Sequence, residues 1–270
     1  VSRRIRLDSE LVRRGLARSR EQATQLIEAG RVTVGGRRAG KPATQVDTAS
    51  AIVVAASDDG PDYVSRGAHK LLGALEAFER LTVEGRRCLD AGASTGGFTD
   101  VLLRRGAAHV VAVDVGYGQL AWSLRTDERV TVMERVNVRD LTPGMVGEPP
   151  TLIVGDLSFI SLRIVLPALA EVAAPRADLV MLVKPQFEVG KDRVGAGGVV
   201  RDPVLRASAV RDAAAKAQDL GLTVRGVTAS PLPGPSGNVE YLLWLGKGEG
   251  EPPVADLDAE IQRAVQEGPQ

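Results

Sequence analysis

The apolar positions of the chain fall into short runs with two periods. Leu7, Leu11, Leu16, Ala23, Leu26 and Ile27 recur at helical spacing in two pieces parted by Gly15. Ser19 with Gln22 is placed to cap the second piece, and Gly30 to end it. Arg31-Val-Thr-Val-Gly-Gly-Arg-Arg reads as a hairpin turning on Gly35-Gly36, and Ala51-Ile-Val-Val as a closing strand. From Ser65 the pattern changes. A helix over Ser65–Phe78 shows Leu71, Leu72, Leu75 and Phe78 on one face, and strands and helices then alternate. Strands are expected at Arg87–Ala91, His109–Val115, Val130–Val136, Thr151–Leu157, Leu179–Lys184, Leu222–Ala229 and Tyr241–Leu245. Helices are expected at Thr99–Arg105, Leu120–Arg125, Leu162–Ala174 and Pro203–Leu220, the last with Pro203 in its first turn and Gly221 at its end. Only a Pro/Gly loop joins the last two strands, which therefore pair antiparallel.

Alternation of this kind implies an α/β fold, a seven-stranded, mostly parallel sheet with helices on both faces. Ahead of it lies a small α+β domain at residues 1–56. Residues 57–64 are rich in turn formers and acid and read as a linker, with Tyr63 and Val64 docking onto the large domain at 65–248. Residues 249–270 read as a polar tail with a short helix at Leu257–Val265.

Composition narrows the function classes. Lys+Arg and Asp+Glu both total 34, but residues 1–56 hold 11 basic residues against 5 acidic, and the remainder 23 against 29. A basic N-terminal segment on a mildly acidic body suits a polyanionic partner. Cys88 is the only cysteine and His69 and His109 the only histidines, so neither a disulfide nor a thiolate or histidine metal site is expected. No apolar run reaches a membrane span and no apolar signal core follows the basic N-terminus, so a cytoplasmic location is expected.

In an open parallel sheet, ligands bind outside the C-terminal strand ends. The first strand ends in Cys88-Leu-Asp-Ala-Gly-Ala-Ser-Thr-Gly-Gly, a turn whose glycines permit close approach of backbone to ligand. Its Gly92 and Gly96 are four apart, so it is not the G-x-G-x-x-G dinucleotide fingerprint. Asp114 ends the second strand, where a carboxylate can accept both hydroxyls of a ribose or simply cap the next helix. Asn137, with Val138 beside it, is placed to read an adenine edge or to serve as a turn residue. Asp156 ends the fourth strand and Lys184 the fifth, while Glu240 opens the last. A lysine after Leu-Val-Met-Leu-Val is costly unless its ammonium reaches a partner, a cleft or water.

The turn Asp-x-Gly-x-x-x-Gly at 90–96 resembles the first motif of S-adenosylmethionine (SAM) dependent methyltransferases. Lys70, Asp156, Lys184 and Glu240 match the Lys-Asp-Lys-Glu tetrad of the FtsJ-like ribose 2′-O-methyltransferases. Arg6-Leu-Asp-Ser-Glu-Leu-Val-Arg-Arg-Gly-Leu, Ala23, Ile27, Gly30, Val32, Val34, Gly36 and Lys41-Pro42 resemble the S-four RNA-binding domain. Taken with Ser-Arg-Gly-Ala-His-Lys at 65–70, Asp-Val-Gly-Tyr-Gly-Gln-Leu at 114–120, Lys-Pro-Gln-Phe-Glu at 184–188 and Gly-Asn-Val-Glu-Tyr at 237–241, the chain resembles the TlyA (hemolysin A) family over residues 3–247.

The resemblance implies an enzyme that methylates a cytidine 2′-hydroxyl in 16S and/or 23S ribosomal RNA, a mark tied in actinobacterial members to capreomycin sensitivity. It implies SAM held by Asp90, Gly92, Ala93, Ser94, Gly96, Gly97, Phe98, Asp114, Asn137, Val138 and Asp156. It also implies RNA phosphates met by Arg4, Arg6, Arg14, Arg18, Arg20, Arg31, Lys41 and Arg66, with Arg13 a further candidate. Lys184 is the candidate to deprotonate or orient the hydroxyl, and Lys70 to steady the developing alkoxide; Asp156 and Glu240 position them. Ser94-Thr95 departs from the small residue and Pro frequent in the wider FtsJ group. Expected partners are ribosomal RNA or ribosomal subunits, with no membrane, metal or obligate protein partner.

The glycine-rich Val189–Val200 segment reads as a mobile loop that orders over RNA, and Phe187 either stacks a base or packs in the core. Two Trp, three Tyr and four Phe leave little for extensive base stacking. The rival readings are an RNA-binding adaptor with an inactive methyltransferase fold, an S-four pseudouridine synthase, and a membrane-active hemolysin, for which no membrane-seeking helix is visible.

Overall fold

The structure, a computed structural model, describes residues 4–17, 19–55, 63–234 and 236–268. Arg18 and most of the expected linker lie outside the described residues. The chain divides into two compact units, Val1–Asp62 and Tyr63–Gln270.

The first unit contains β1 (Arg4–Arg6), α1 (Leu7–Arg13), α2 (Arg20–Glu28), β2 (Val32–Val34), β3 (Arg37–Arg38), β4 (Gln45–Asp47) and β5 (Ile52–Val54). The Ser19 hydroxyl accepts from the Gln22 N–H at 3.1 Å and caps α2. Gly35 and Gly36 both have positive φ, which lets β2 fold back on β3, while β5 pairs with the other edge of β2. The β1–β4 pair is too short to announce itself by alternation. Leu7, Leu11, Ala23, Ile27 and Val32 close the small core.

The second unit runs α3 (Ala68–Ala77), β6 (Arg87–Ala91), α4 (Gly97–Arg104), β7 (His109–Asp114), α5 (Trp122–Arg125), β8 (Val130–Glu134), α6 (Pro143–Val146), β9 (Leu152–Gly155), α7 (Leu162–Val172), β10 (Ala177–Val183), α8 (Pro185–Glu188), α9 (Pro203–Asp219), β11 (Thr223–Ala229), β12 (Tyr241–Lys247) and α10 (Leu257–Glu267). Its sheet has the order β11-β12-β10-β9-β6-β7-β8, with β12 antiparallel to both neighbours and the remaining pairs parallel. Strand β10 explains its unbroken apolar run: Leu179, Met181 and Val183 enter the core beneath α7 and α9, and Val180 and Leu182 enter the core beneath α3 and α4.

Several element boundaries differ from expectation, and three of the differences have a local cause. Helix α3 starts at Ala68 rather than Ser65 because Ala68 N–H bonds the Ser65 carbonyl in a preceding turn. Strand β8 ends at Glu134 because Arg135 adopts φ +59°. Strand β10 stops before Lys184, where Pro185 opens α8. The segment Val189–Val200, expected as a mobile loop, holds two 3₁₀ turns; the Asn238 side chain accepts from Val200 N–H at 2.9 Å and donates to the Gly198 carbonyl at 2.8 Å. Tyr63 lies under the Arg104 guanidinium at 4.5 Å, and Val64 N–H bonds Asp100 at 2.8 Å.

Residues 257–267 are no loose tail. Asp256 caps α10, and Ile261, Ala264 and Val265 are buried in the main core against β11 and α9. Ile261→Ala is expected to lower unfolding stability by roughly 2–5 kcal/mol, the range for an aliphatic core truncation. Urea denaturation measures it, and an unchanged midpoint would show that α10 adds nothing to this core.

Candidate active site

The glycine turn after β6 is tight because backbone fills the space a side chain would need. Gly92 has φ +85°, and a Cβ there would lie 2.6 Å from the Asp156 carbonyl oxygen. Ser94, one of three non-glycine residues with positive φ among the described residues, donates its N–H to Asp114 Oδ2 at 2.8 Å. Gly116 N–H takes Oδ1 of the same carboxylate at 2.6 Å. Asp114 is thus held from two sides, and each oxygen keeps further acceptor capacity. Asn137 Oδ1 accepts from Arg139 N–H at 3.2 Å, so its carbonyl oxygen caps the following 3₁₀ turn.

These groups line a cavity of about 910 Å³. Gly92, Ser94, Asp114, Asn137, Val138 and Asp156 line it, together with Ser158, Phe159, Ile164, Gln186 and Phe187. The remaining expected cofactor residues stand behind it. Ala93 faces a small side pocket with Ser94 and Asp114. Gly96, with φ +99°, lets Leu120 and Leu124 close over the turn, and Gly97 lets α4 approach Ser65 and Ala68. Phe98 is core, packed in the cluster beneath α3 and α4. None of these three is in the cavity lining.

Asp90 is fully buried, with Oδ2 accepting from the Thr99 hydroxyl at 2.7 Å and Oδ1 unpartnered among the described residues. Burial raises its pKa to about 7. The held Asp114 carboxylate beside the close backbone at Gly92 has the chemistry to accept the hydroxyls of a ribose.

The tetrad residues meet beside this cavity. Lys70 comes from α3, Asp156 from the end of β9, Lys184 from the end of β10 and Glu240 from the residue before β12. Lys70 Nζ lies 2.7 Å from Glu240 Oε2 and 3.2 Å from Asp156 Oδ2. Lys184 Nζ lies 2.6 Å from Asp156 Oδ1 and donates to Ser158 Oγ at 2.8 Å. Lys70, Lys184 and Glu240 are buried. Burial alone would lower the Lys70 pKa, but Asp156 and Glu240 outweigh it and hold Lys70 above its ordinary value. Burial works equally against the Asp156 carboxylate, and the two lysines overcome it and pull Asp156 below the usual range. Lys70 is therefore a permanent cation whose ammonium is engaged by carboxylates.

Three residues here had no role assigned from sequence. Ser158 touches Lys184. Phe159 is 91% exposed, adopts φ +64° and packs tilted against Phe187, with ring centroids 5.3 Å apart and planes at 50°. Buried Glu188 accepts from the Ser161 hydroxyl at 2.6 Å and Leu162 N–H at 2.7 Å, tying the loop after β9 to α8. A serine and phenylalanine in a loop carry no periodic signal; only their position just after the strand-ending Asp156 marks them.

The arginines of the first unit divide into two groups. Arg14 bonds buried Glu10 and the carbonyls of Thr48 and Ser50, so its guanidinium is structural. Arg13 also bonds Glu10, and Arg31 bonds the Ala55 carbonyl. Arg13 and Arg14 hold Glu10 below its ordinary pKa, at about 2, against the opposing effect of burial. Arg6 and Arg20 share Asp8 but remain exposed, and with Lys41 they line a shallow pocket. Arg4 and Arg66 are exposed.

The chain matches the FtsJ-like methyltransferase family model over residues 63–247 and the S4 domain model over residues 5–52. A Mycobacterium tuberculosis protein named 16S/23S rRNA (cytidine-2'-O)-methyltransferase TlyA is 62% identical over 270 residues, covering 100% of both chains. A Brachyspira hyodysenteriae protein named Hemolysin A is 40% identical over 239 residues, covering 88% of this chain and 98% of that one. A solved Streptococcus thermophilus structure that carries a hemolysin name superposes with a TM-score of 0.76 at 39% identity, covering 98% of this chain and 96% of that chain.

The Asp90 environment has a pH signature. In the unfolded chain Asp90 ionises near 3.8, and in the folded one near 7. Between those values the folded state holds the extra proton, so stability falls as pH rises, by about 4 kcal/mol once pH exceeds 7. Asp90→Asn removes this term and keeps an acceptor for Thr99. Its stability relative to the parent should rise between pH 4 and pH 8, as read by denaturant titration; a constant difference would contradict a raised Asp90.

Proposed function

The chain belongs to the FtsJ-like methyltransferase family, and on that premise we propose that it moves the methyl group of SAM to the ribose 2′-hydroxyl of a cytidine in ribosomal RNA, 16S and/or 23S. The observation that carries this reading is the Lys70–Asp156–Lys184–Glu240 cluster beside a cavity with a held ribose acceptor, Asp114. The full-length likeness to a protein named for that reaction supports the choice of cytidine and of ribosomal RNA. The domain limits proposed are those of the sequence, with the C-terminal helix added to the catalytic unit.

Bound SAM supplies a methyl group on a sulfonium. The protein must align a poor nucleophile with it and manage one proton. In this reading Lys184 meets the 2′-hydroxyl and orients or deprotonates it. Lys70, with Asp156 and Glu240 on its ammonium, serves to hold Asp156 in place; this replaces the expected direct contact with the alkoxide. Asp114 takes the cofactor ribose. Phe159, exposed and backed by Phe187, offers a face on which the target base can stack. In the basic N-terminal unit, Arg4, Arg6, Arg20 and Lys41 meet phosphates, with Arg66 doing so from the catalytic unit, while Arg14 and Arg31 serve its own fold. The hemolysin names of two similar proteins suggest a membrane role, but no helix among the described residues is long and apolar enough to cross a membrane.

Isothermal titration should detect SAM binding in the micromolar range, and Lys184→Ala should abolish methyl transfer to ribosomal subunits with RNA affinity nearly intact. Undetectable SAM binding would favour the adaptor reading, and full turnover would remove Lys184 from the reaction. Lys41→Glu should weaken RNA binding and flatten the slope of log affinity against log salt by about one. An unchanged slope would take Lys41 off the RNA.

A further inference from the structure

The loop after β9, Asp156-Leu-Ser-Phe-Ile-Ser, is held more firmly than its sequence suggests. Asp156 N–H bonds the Ala91 carbonyl at 3.1 Å, fixing the entry to the end of β6. Glu188 fixes the exit through Ser161 and Leu162. Between these clamps Phe159 sits at φ +64°, a conformation that a bulky side chain adopts only when its surroundings impose it. The residue just before this strained position is Ser158, on the cavity wall, with Oγ 2.8 Å from Lys184 Nζ.

We propose that Ser158 is a positioning residue for methyl transfer, acting through Lys184. The inference rests on the function proposed above. An amine nitrogen has four tetrahedral directions. Cε takes one and Ser158 Oγ a second, in a hydrogen bond of 2.8 Å; Asp156 Oδ1 lies 2.6 Å away as an ion pair outside hydrogen-bond geometry. Among the described residues these are the partners of Nζ, and they leave room on the nitrogen for a substrate. An ion pair fixes charge without fixing rotation about the Cε–Nζ bond, so Asp156 alone leaves the N–H directions unset. The hydrogen bond to Ser158 sets that rotation. The same atom that must meet the ribose hydroxyl is then aimed before the substrate arrives, so no ordering is required at the moment of reaction. The carboxylate supplies the charge partner and the hydroxyl supplies the direction. Lys70 shows the contrast: its two anchors are both carboxylates, and it stands as a fixed cation.

The test compares the full-length parent, Ser158→Ala and Ser158→Thr in steady-state methyl transfer to ribosomal subunits, with SAM titration and thermal unfolding of each. Ser158→Ala should lower kcat about tenfold, the scale of one lost aligned hydrogen bond to a charged group, with KM for both substrates, SAM affinity and unfolding midpoint unchanged. Ser158→Thr, which keeps the hydroxyl, should recover most of the rate. An unchanged kcat in Ser158→Ala would overturn the proposal. So would weakened SAM binding with kcat intact, which would place Ser158 on the cofactor. A loss that Ser158→Thr fails to restore and that follows a lowered midpoint would make Ser158 merely structural. A parent protein that transfers no methyl to ribosomal RNA would remove the functional reading and this inference together; an active parent with an indifferent Ser158→Ala removes this inference alone.

Discussion

One carboxylate between two ammonium groups organises the catalytic unit. Asp156 gives one oxygen to Lys70 and the other to Lys184, and Glu240 completes a charge-balanced set of four. Each ion loses several kcal/mol of hydration on burial, and only close pairing offsets it. Removing Asp156 would leave two buried cations facing a single carboxylate. The arrangement is therefore all-or-nothing: its members must arrive together, from four parts of the chain between residues 70 and 240.

The sheet makes that convergence possible. Strands β6, β9 and β10 lie side by side and run the same way, so their C-terminal ends form one ledge. Asp156 and Lys184 leave that ledge as neighbours. Antiparallel β12 enters where β10 ends, with Tyr241 opposite Val183, which puts Glu240 at the same edge. The backbone at Asp156 also touches the glycine turn, because its carbonyl oxygen occupies the space a Gly92 side chain would need. The glycine turn and the charged cluster thus share one piece of main chain.

Much of this was legible in the sequence because the physics is local. A buried parallel strand reads as an unbroken apolar run, and a charged residue ending such a run stands out, as Lys184 does after Leu-Val-Met-Leu-Val. Gly35-Gly36 announced its hairpin for the same reason. What stayed hidden depends on tertiary contacts. Whether an arginine meets solvent or a buried Glu10 cannot be read from its own position; Arg14, expected at a phosphate, bonds Glu10 and two backbone carbonyls. Helix α10 is polar on most of its surface and joins the core through three buried residues, too few to distinguish it from a tail. Ser158 and Glu188 matter through side chains that reach other elements, which periodicity does not record.

A lysine–carboxylate cluster built for hydroxyl chemistry requires the methyl group to land on a ribose oxygen. Methyl-labelled SAM, the protein and ribosomal subunits, followed by alkaline hydrolysis of the RNA, test this directly. A 2′-O-methyl blocks cleavage at its own nucleotide, so the label should appear in alkali-resistant dinucleotides that begin with cytidine. Label recovered in mononucleotides would put the methyl on a base and contradict the assignment of the buried lysine–carboxylate cluster to hydroxyl chemistry.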